Sequence, residues 1–195
     1  MARLFTSGLE LGTFSEFNGG HGGFTTVVTD PVRTGTYSLR FQNTASYVIQ
    51  TFSADCAELY FRMAMRISTG SIGKTANFLE FRDSDAALQL ALKYNAGTQT
   101  FTLLRGTTLI ASGAIILSAD VWYVLEGHIL MSQTVGEVVI KINGVVDINF
   151  SGDTVQTALV SVRSFKVRGI SDSTYHDDFA VNDTTGSYQI GRAHV

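Results

Sequence analysis

Cysteine occurs once, at Cys56, and proline once, at Pro31, in a chain of 195 residues. A lone cysteine closes no internal disulfide, so no covalent framework holds the fold, and synthesis in a reducing compartment is expected. A lone proline leaves no proline-rich hinge. Charge is sparse as well: 14 Lys and Arg stand against 17 Asp and Glu, for a formal −3 and 16% charged residues. No window gathers five or six cations, so the field that draws nucleic acid is missing and that partner is set aside. No run reaches the roughly 18 apolar residues that span a bilayer as a helix. Met1-Ala2-Arg3-Leu4-Phe5-Thr6 lacks the apolar stretch of a secretion signal. The expectation is a product of the cytoplasm with no membrane partner.

What the chain has is apolar and aromatic side chains, 45% and 11% of residues, and 19 glycines. That composition describes one ordered domain over 1–195, large enough to bury a core without metal or disulfide. The dominant period is two. In Ala57-Glu58-Leu59-Tyr60-Phe61-Arg62-Met63-Ala64-Met65-Arg66-Ile67, Leu59, Phe61, Met63, Met65 and Ile67 share one face, and Tyr60, Arg62, Ala64 and Arg66 the other. Similar runs recur at 38–41, 46–52, 77–81, 88–94, 100–104, 109–112, 121–131, 137–142, 145–150, 160–167 and 175–181. Short strands at this spacing, with Gly, Asn or Asp in nearly every gap, predict an all-β sandwich. Asn143-Gly144 is the sharpest hairpin signal, because a type I′ turn needs positive φ at both centres. Ser84 to Lys93 contains helix formers, but Leu88, Leu90 and Leu92 alternate, which favours a strand. Ala119-Asp120 predicts a single turn before Trp122.

Trp122-Tyr123-Val124-Leu125-Glu126-Gly127-His128-Ile129, Gly136 to Gly144 and Tyr175-His176-Asp177-Asp178-Phe179 together resemble the laminin-G-like branch of the concanavalin A-like jelly rolls. The resemblance implies a two-sheet antiparallel jelly-roll sandwich. Val181-Asn182-Asp183-Thr184-Thr185-Gly186-Ser187 is similar to a version of this sandwich in structural proteins of tailed bacteriophages, where it reads as a turn closing the last strand. On that likeness the expectation is a non-enzymatic virion protein: a head decoration or knob-like subunit, or a tail component, oligomeric and bound to capsid or tail proteins of the same particle. The stop at Gly191-Arg192-Ala193-His194-Val195 fits a free-standing subunit. The alternative is a carbohydrate-binding module, with Tyr60 and Trp122 as the weak candidates for a sugar-stacking platform. Tyr47, Tyr94, Tyr123 and Tyr175 carry the same chemistry in positions where an aromatic usually packs across strands.

No catalytic residue is assigned. The family's retaining glucanases resemble one another in a Glu-x-Asp-x-x-Glu strand that brings two acids to about 5 Å. Glu80-Phe81-Arg82-Asp83-Ser84-Asp85 departs from that spacing, and on a regular strand Glu80 and Asp83 would point opposite ways, so these acids read as solvated strand-end charges. His21, His128, His176 and His194 are scattered without ligand spacing, and Cys56 has no neighbouring base, so no metal site and no thiol chemistry is assigned. Asn18 to Gly23 is glycine-dense but precedes a strand rather than a helix, which makes it a loop and not a phosphate cradle. No cofactor is expected. The resemblance leaves room for a structural calcium on Asp177 and Asp178 with Glu10 opposite, against which stands a simpler clamp of carboxylate on backbone N–H groups.

Overall fold

Alternating apolar residues need two sheets facing each other, and the computed structural model, which describes residues 3–184, provides them. In chain order the strands are β1 (Arg3–Ser7), β2 (His21–Gly22), β3 (Thr25–Val28), β4 (Ser38–Phe41), β5 (Tyr47–Cys56), β6 (Glu58–Ile67), β7 (Ala76–Arg82) and β8 (Leu88–Asn95). There follow β9 (Thr100–Arg105), β10 (Thr108–Ser112), β11 (Trp122–Leu130), β12 (Gly136–Ile142), β13 (Val145–Gly152), β14 (Val162–Arg168) and β15 (Thr174–Asn182). The eight-stranded sheet runs β13-β12-β11-β6-β15-β4-β3, with β1 also paired to β15, and the seven-stranded sheet runs β10-β9-β8-β7-β14-β5-β2. Every pairing is antiparallel. The all-β jelly-roll sandwich expected from the period of two is the observed fold.

The core between the sheets is built from the inward row of each strand, including Leu59, Phe61, Met63, Met65 and Ile67 of β6 against Phe81, Leu92, Phe101 and Phe165 of the other sheet. Gly127 of β11 lies opposite Phe61, and a Cβ there would sit 2.1 Å from a carbon of that ring. A glycine at this strand interior is therefore a matter of space. Asn143 and Gly144 join β12 to β13 with φ of 52° and 82°, as the hairpin signal requires. Ala119-Asp120 is a turn, and Ser84-Asp85 is a turn ahead of β8, so the strand reading of Leu88, Leu90 and Leu92 holds.

Three local expectations need correction. The glycine-dense segment is not wholly loop, because His21 and Gly22 pair with Val48 and Tyr47 and Gly19 N–H donates to the Ile49 carbonyl. Asn182 belongs to β15 rather than to a closing turn. Thr185, Gly186, Ser187 and His194 lie outside the described residues. Glu80 is no solvated strand end. It lies inside β7 at 1% exposure, held by Arg82 Nη2 at 2.6 Å, Arg168 Nη1 at 3.0 Å and Asn77 Nδ2 at 3.3 Å. Burial opposes its ionisation, yet the two arginines hold its carboxyl below the ordinary value. Asp83 caps the following turn instead, accepting from the N–H groups of Asp85 and Ala87 and from Gln89 Nε2 and Thr157 Oγ1.

β15 is flanked by β6 on one side and, on the other, by β4 along its first half and β1 along its second. A bulge between Asp177 and Ala180 separates the halves, with Asp178 at φ 52°. The extra residue re-phases the strand, so that Phe179 and Val181 join the core cluster while Ala180 and Asn182, though also buried, are registered with Arg62 and Tyr60 of β6.

Candidate functional site

The outward side chains of the eight-stranded sheet line up in cross-strand rows, because register fixes which residues are neighbours. One row runs Arg40, Tyr175, Arg66, Trp122 across β4, β15, β6 and β11. The Arg66 guanidinium lies 5.5 Å from the centroid of the Tyr175 ring and pairs with Asp120 at 3.0 Å. The next charged row is Arg62, Glu126, Lys141, with Arg62 Nε 3.9 Å from Glu126 Oε1. A third row runs Asn182, Tyr60, His128, Val139, Asn149.

The third row holds the densest chemistry. The Tyr60 and His128 rings stack with centroids 4.5 Å apart and planes 14° from parallel. Glu58, two residues before Tyr60 on β6, joins them: its Oε1 accepts from Tyr60 OH at 3.2 Å and lies 2.7 Å from His128 Nε2. Asn182 flanks Tyr60 with its Oδ1 buried and unpartnered. A phenol, an imidazole and a carboxylate in mutual contact, one row from a guanidinium, can pass protons to and from a bound molecule and offset negative charge on it.

One wall of this face is fixed by the paired aspartates. Asp177 Oδ2 accepts the backbone N–H groups of Arg33 and Thr34 at 3.1 and 3.3 Å, and Asp177 Oδ1 accepts that of Asp178 at 2.8 Å. Asp178 pairs with the Arg33 guanidinium and accepts from Thr34 Oγ1. Glu10 accepts from Thr36 N–H at 3.0 Å. The two aspartates thus fasten the segment between β3 and β4 to β15, and Glu10 fastens it to the segment after β1, which is the clamp of carboxylate on backbone N–H. Burial, and next the charge of Asp178, push the Asp177 carboxyl up to about 6, against the pull of the N–H groups it accepts. Among the described residues no group of three or more His, Cys, Asp or Glu is placed to hold a metal ion.

Tyr60 and Trp122 both belong to this face but not to one platform. Six residues of β6 separate Tyr60 from Arg66, the partner of Trp122, or roughly 20 Å of strand. Tyr175 joins Trp122 at that end. Tyr94 is buried, its hydroxyl donating to the Ile72 carbonyl, and Lys166 covers the Tyr47 ring. His21 stacks on Phe14, and His176 is wholly buried among rings. Burial pushes the Cys56 thiol up, away from nucleophilic use. The residue that sequence reasoning passed over is His128. Its signal was its outward parity on β11, in the same phase as Trp122, Val124 and Glu126.

No protein-family model matches the chain, and no curated relative matches it by sequence. Solved structures do share its fold. An endo-β-1,4-glucuronan lyase from the fungus Trichoderma reesei superposes with a TM-score of 0.71 at 16% identity over 94% of this chain and 96% of the other. An alginate lyase superposes at 0.62 with 13% identity over 94% and 93%. A Bacillus subtilis protein of unknown function with a galectin-like fold gives 0.66 at 17% over 94% and 96%. A carbohydrate-binding module from Bacillus subtilis gives 0.51 at 14% over 86% and 99%. The chain is a galectin-like β-sandwich.

Two expectations are corrected by these likenesses. The virion-subunit reading rested on the resemblance of Val181 to Ser187, and none of these similar structures links the chain to a phage particle. The exclusion of enzymatic activity rested on the same resemblance and on the missing glucanase, metal-ligand and thiol patterns, whereas two proteins with this fold are lyases.

Proposed function

We propose that the chain binds an acidic polysaccharide of the uronate type along the outer face of its eight-stranded sheet. The observation that carries this reading is the stacked Tyr60–His128 pair sharing Glu58, one row from Arg62. Arg62, Arg66 and Arg40 supply guanidinium groups suited to carboxylates, and Tyr60, Tyr175 and Trp122 supply rings suited to sugar faces. The fold shared with a carbohydrate-binding module and with lyases of acidic glycans supports the same class of ligand. Calorimetric titration with alginate and glucuronan oligosaccharides tests it. Arg62→Ala is expected to weaken binding about tenfold or more, the worth of a charged hydrogen bond. Absence of binding to any polyuronate by the native chain would overturn the reading.

The proton-carrying groups favour a second reading, eliminative cleavage of the same polymer. Tyr60 or His128 would take the proton from the carbon beside the uronate carboxyl. The bond from the neighbouring carbon to the glycosidic oxygen breaks, its electron pair leaving with that oxygen, which is then protonated. A carbon–carbon double bond remains in the sugar and no water is consumed. Arg62 offsets the charge that builds on the carboxylate. The ultraviolet absorbance of the unsaturated product reports turnover, and Tyr60→Phe should lower it by about a hundredfold or more.

A further inference from the structure

The opposite face of the sandwich carries its own constellation. On the outer side of the seven-stranded sheet, Lys166 and Arg168 of β14 and Arg82 of β7 surround one buried carboxylate, Glu80, and Lys93 of β8 lies further along the same face, opposite Asn77. Glu80 is already committed to Arg82 and Arg168, whose remaining donors reach the carbonyls of Ala86 and Thr44. The Lys166 ammonium lies 3.9 Å from the centroid of the Tyr47 ring, a contact that leaves its donors for an anion. Burial, and next the charge of Arg168, lower the pKa of Lys166, while Glu80 acts the other way. Three cations around one carboxylate, with Lys93 further along the face, form a local positive surface in a chain whose formal charge is −3.

That surface continues into a hollow. Lys93 is opposite Thr102 on β9, and beyond it lies an open cavity of about 410 Å³ lined by Asn95, Thr98, Thr100, Thr102 and Ser112 together with Gly113, Ala114 and Ile116. Its surface is mainly apolar, with Thr98 and Thr100 bonded to each other and Thr102 to the Lys93 carbonyl, which suits the apolar face of a sugar ring. Cations for acid groups and an adjoining apolar hollow for the sugar ring are complementary to one kind of molecule.

We propose that the outer face of the seven-stranded sheet is a second binding surface for an anionic polysaccharide, its acid groups meeting Lys166 and Lys93 and its sugar rings meeting the hollow beside Lys93. A chain gripped on both faces binds long polymers more tightly than short ones through effective concentration.

The test is affinity electrophoresis of the native chain through gels holding long alginate, dextran sulfate or neutral dextran, the last correcting for altered mobility. Alginate and dextran sulfate distinguish a carboxylate from a sulfate as the bound group. The double variant Lys93→Ala/Lys166→Ala, with unfolding temperature as the fold control, is expected to lose about threefold to tenfold in affinity for at least one anionic polymer. The loss should shrink as salt rises. Retardation of the double variant equal to that of the native chain overturns the proposal, as does equal retardation of the native chain by neutral dextran. Arg62→Ala separates the two faces. Retention lost in the double variant but kept in Arg62→Ala leaves this surface standing and removes the first.

Discussion

His176→Leu should stabilise the protein and turn a nearly flat pH profile into a sloping one. His176 points into the core between Phe41 and Phe78, with ring centroids 4.7 and 5.1 Å away, and neither ring nitrogen has a partner. Removing those orphaned polar atoms should contribute about 1–3 kcal/mol at neutral pH. Burial also lowers the imidazole pKa from 6.5 to about 3. The unfolded chain takes up a proton that the folded one refuses, so stability is intact above pH 6.5 and falls as pH drops toward 3, by about 1.4 kcal/mol per unit. Asp177 acts in the other direction. Its carboxyl rises from 3.8 to about 6, so its contribution is present below 3.8 and lost as pH rises through 6. Between pH 4 and 6 the two slopes oppose each other, and the native profile should be nearly flat as far as these groups decide it. The leucine variant keeps only the Asp177 slope and should gain up to about 3 kcal/mol as pH falls from 6 to 4. Urea unfolding followed by circular dichroism at half-unit pH steps measures both profiles. Parallel profiles for the two proteins would refute the reasoning.

Gly127→Ala should cost about 2–3 kcal/mol in the same measurement, because its Cβ meets the Phe61 ring. Glu80→Gln leaves Arg82, Arg168 and Lys166 crowded without their anion and should lower stability by about 2–4 kcal/mol. His128→Ala removes the stacking partner of Tyr60 and should weaken binding of uronate oligosaccharides more than Trp122→Ala does, as titration of the two variants with one ligand would read.

The period of two, the glycine-bearing gaps and Asn143-Gly144 were enough to place most strands, because each is a local signal a few residues long. β2 escaped because two residues show no period. The inward row of β6 was legible from Leu59 to Ile67, and its outward row named Tyr60 and Arg62. What those residues meet depends on register between β6 and β11, about 70 residues apart, and no local pattern encodes it. Tyr60 was therefore visible as an exposed ring, while its partnership with His128 and Glu58 was not. Glu80 shows the converse. A carboxylate beside Arg82 reads as surface charge until Arg168, 88 residues on, is found on its other side.

The strand order of the larger sheet constrains how the chain can be made. Among the described residues β15 is the last strand in sequence but an inner one in space, between β6 and the pair β4 and β1. A nascent chain that has not yet delivered residue 174 holds this sheet as separate pieces, with β6 and β4 each presenting an open edge. Such intermediates invite pairing with a neighbouring chain, so slow translation or truncation ahead of β15 should yield aggregates rather than a loosened monomer.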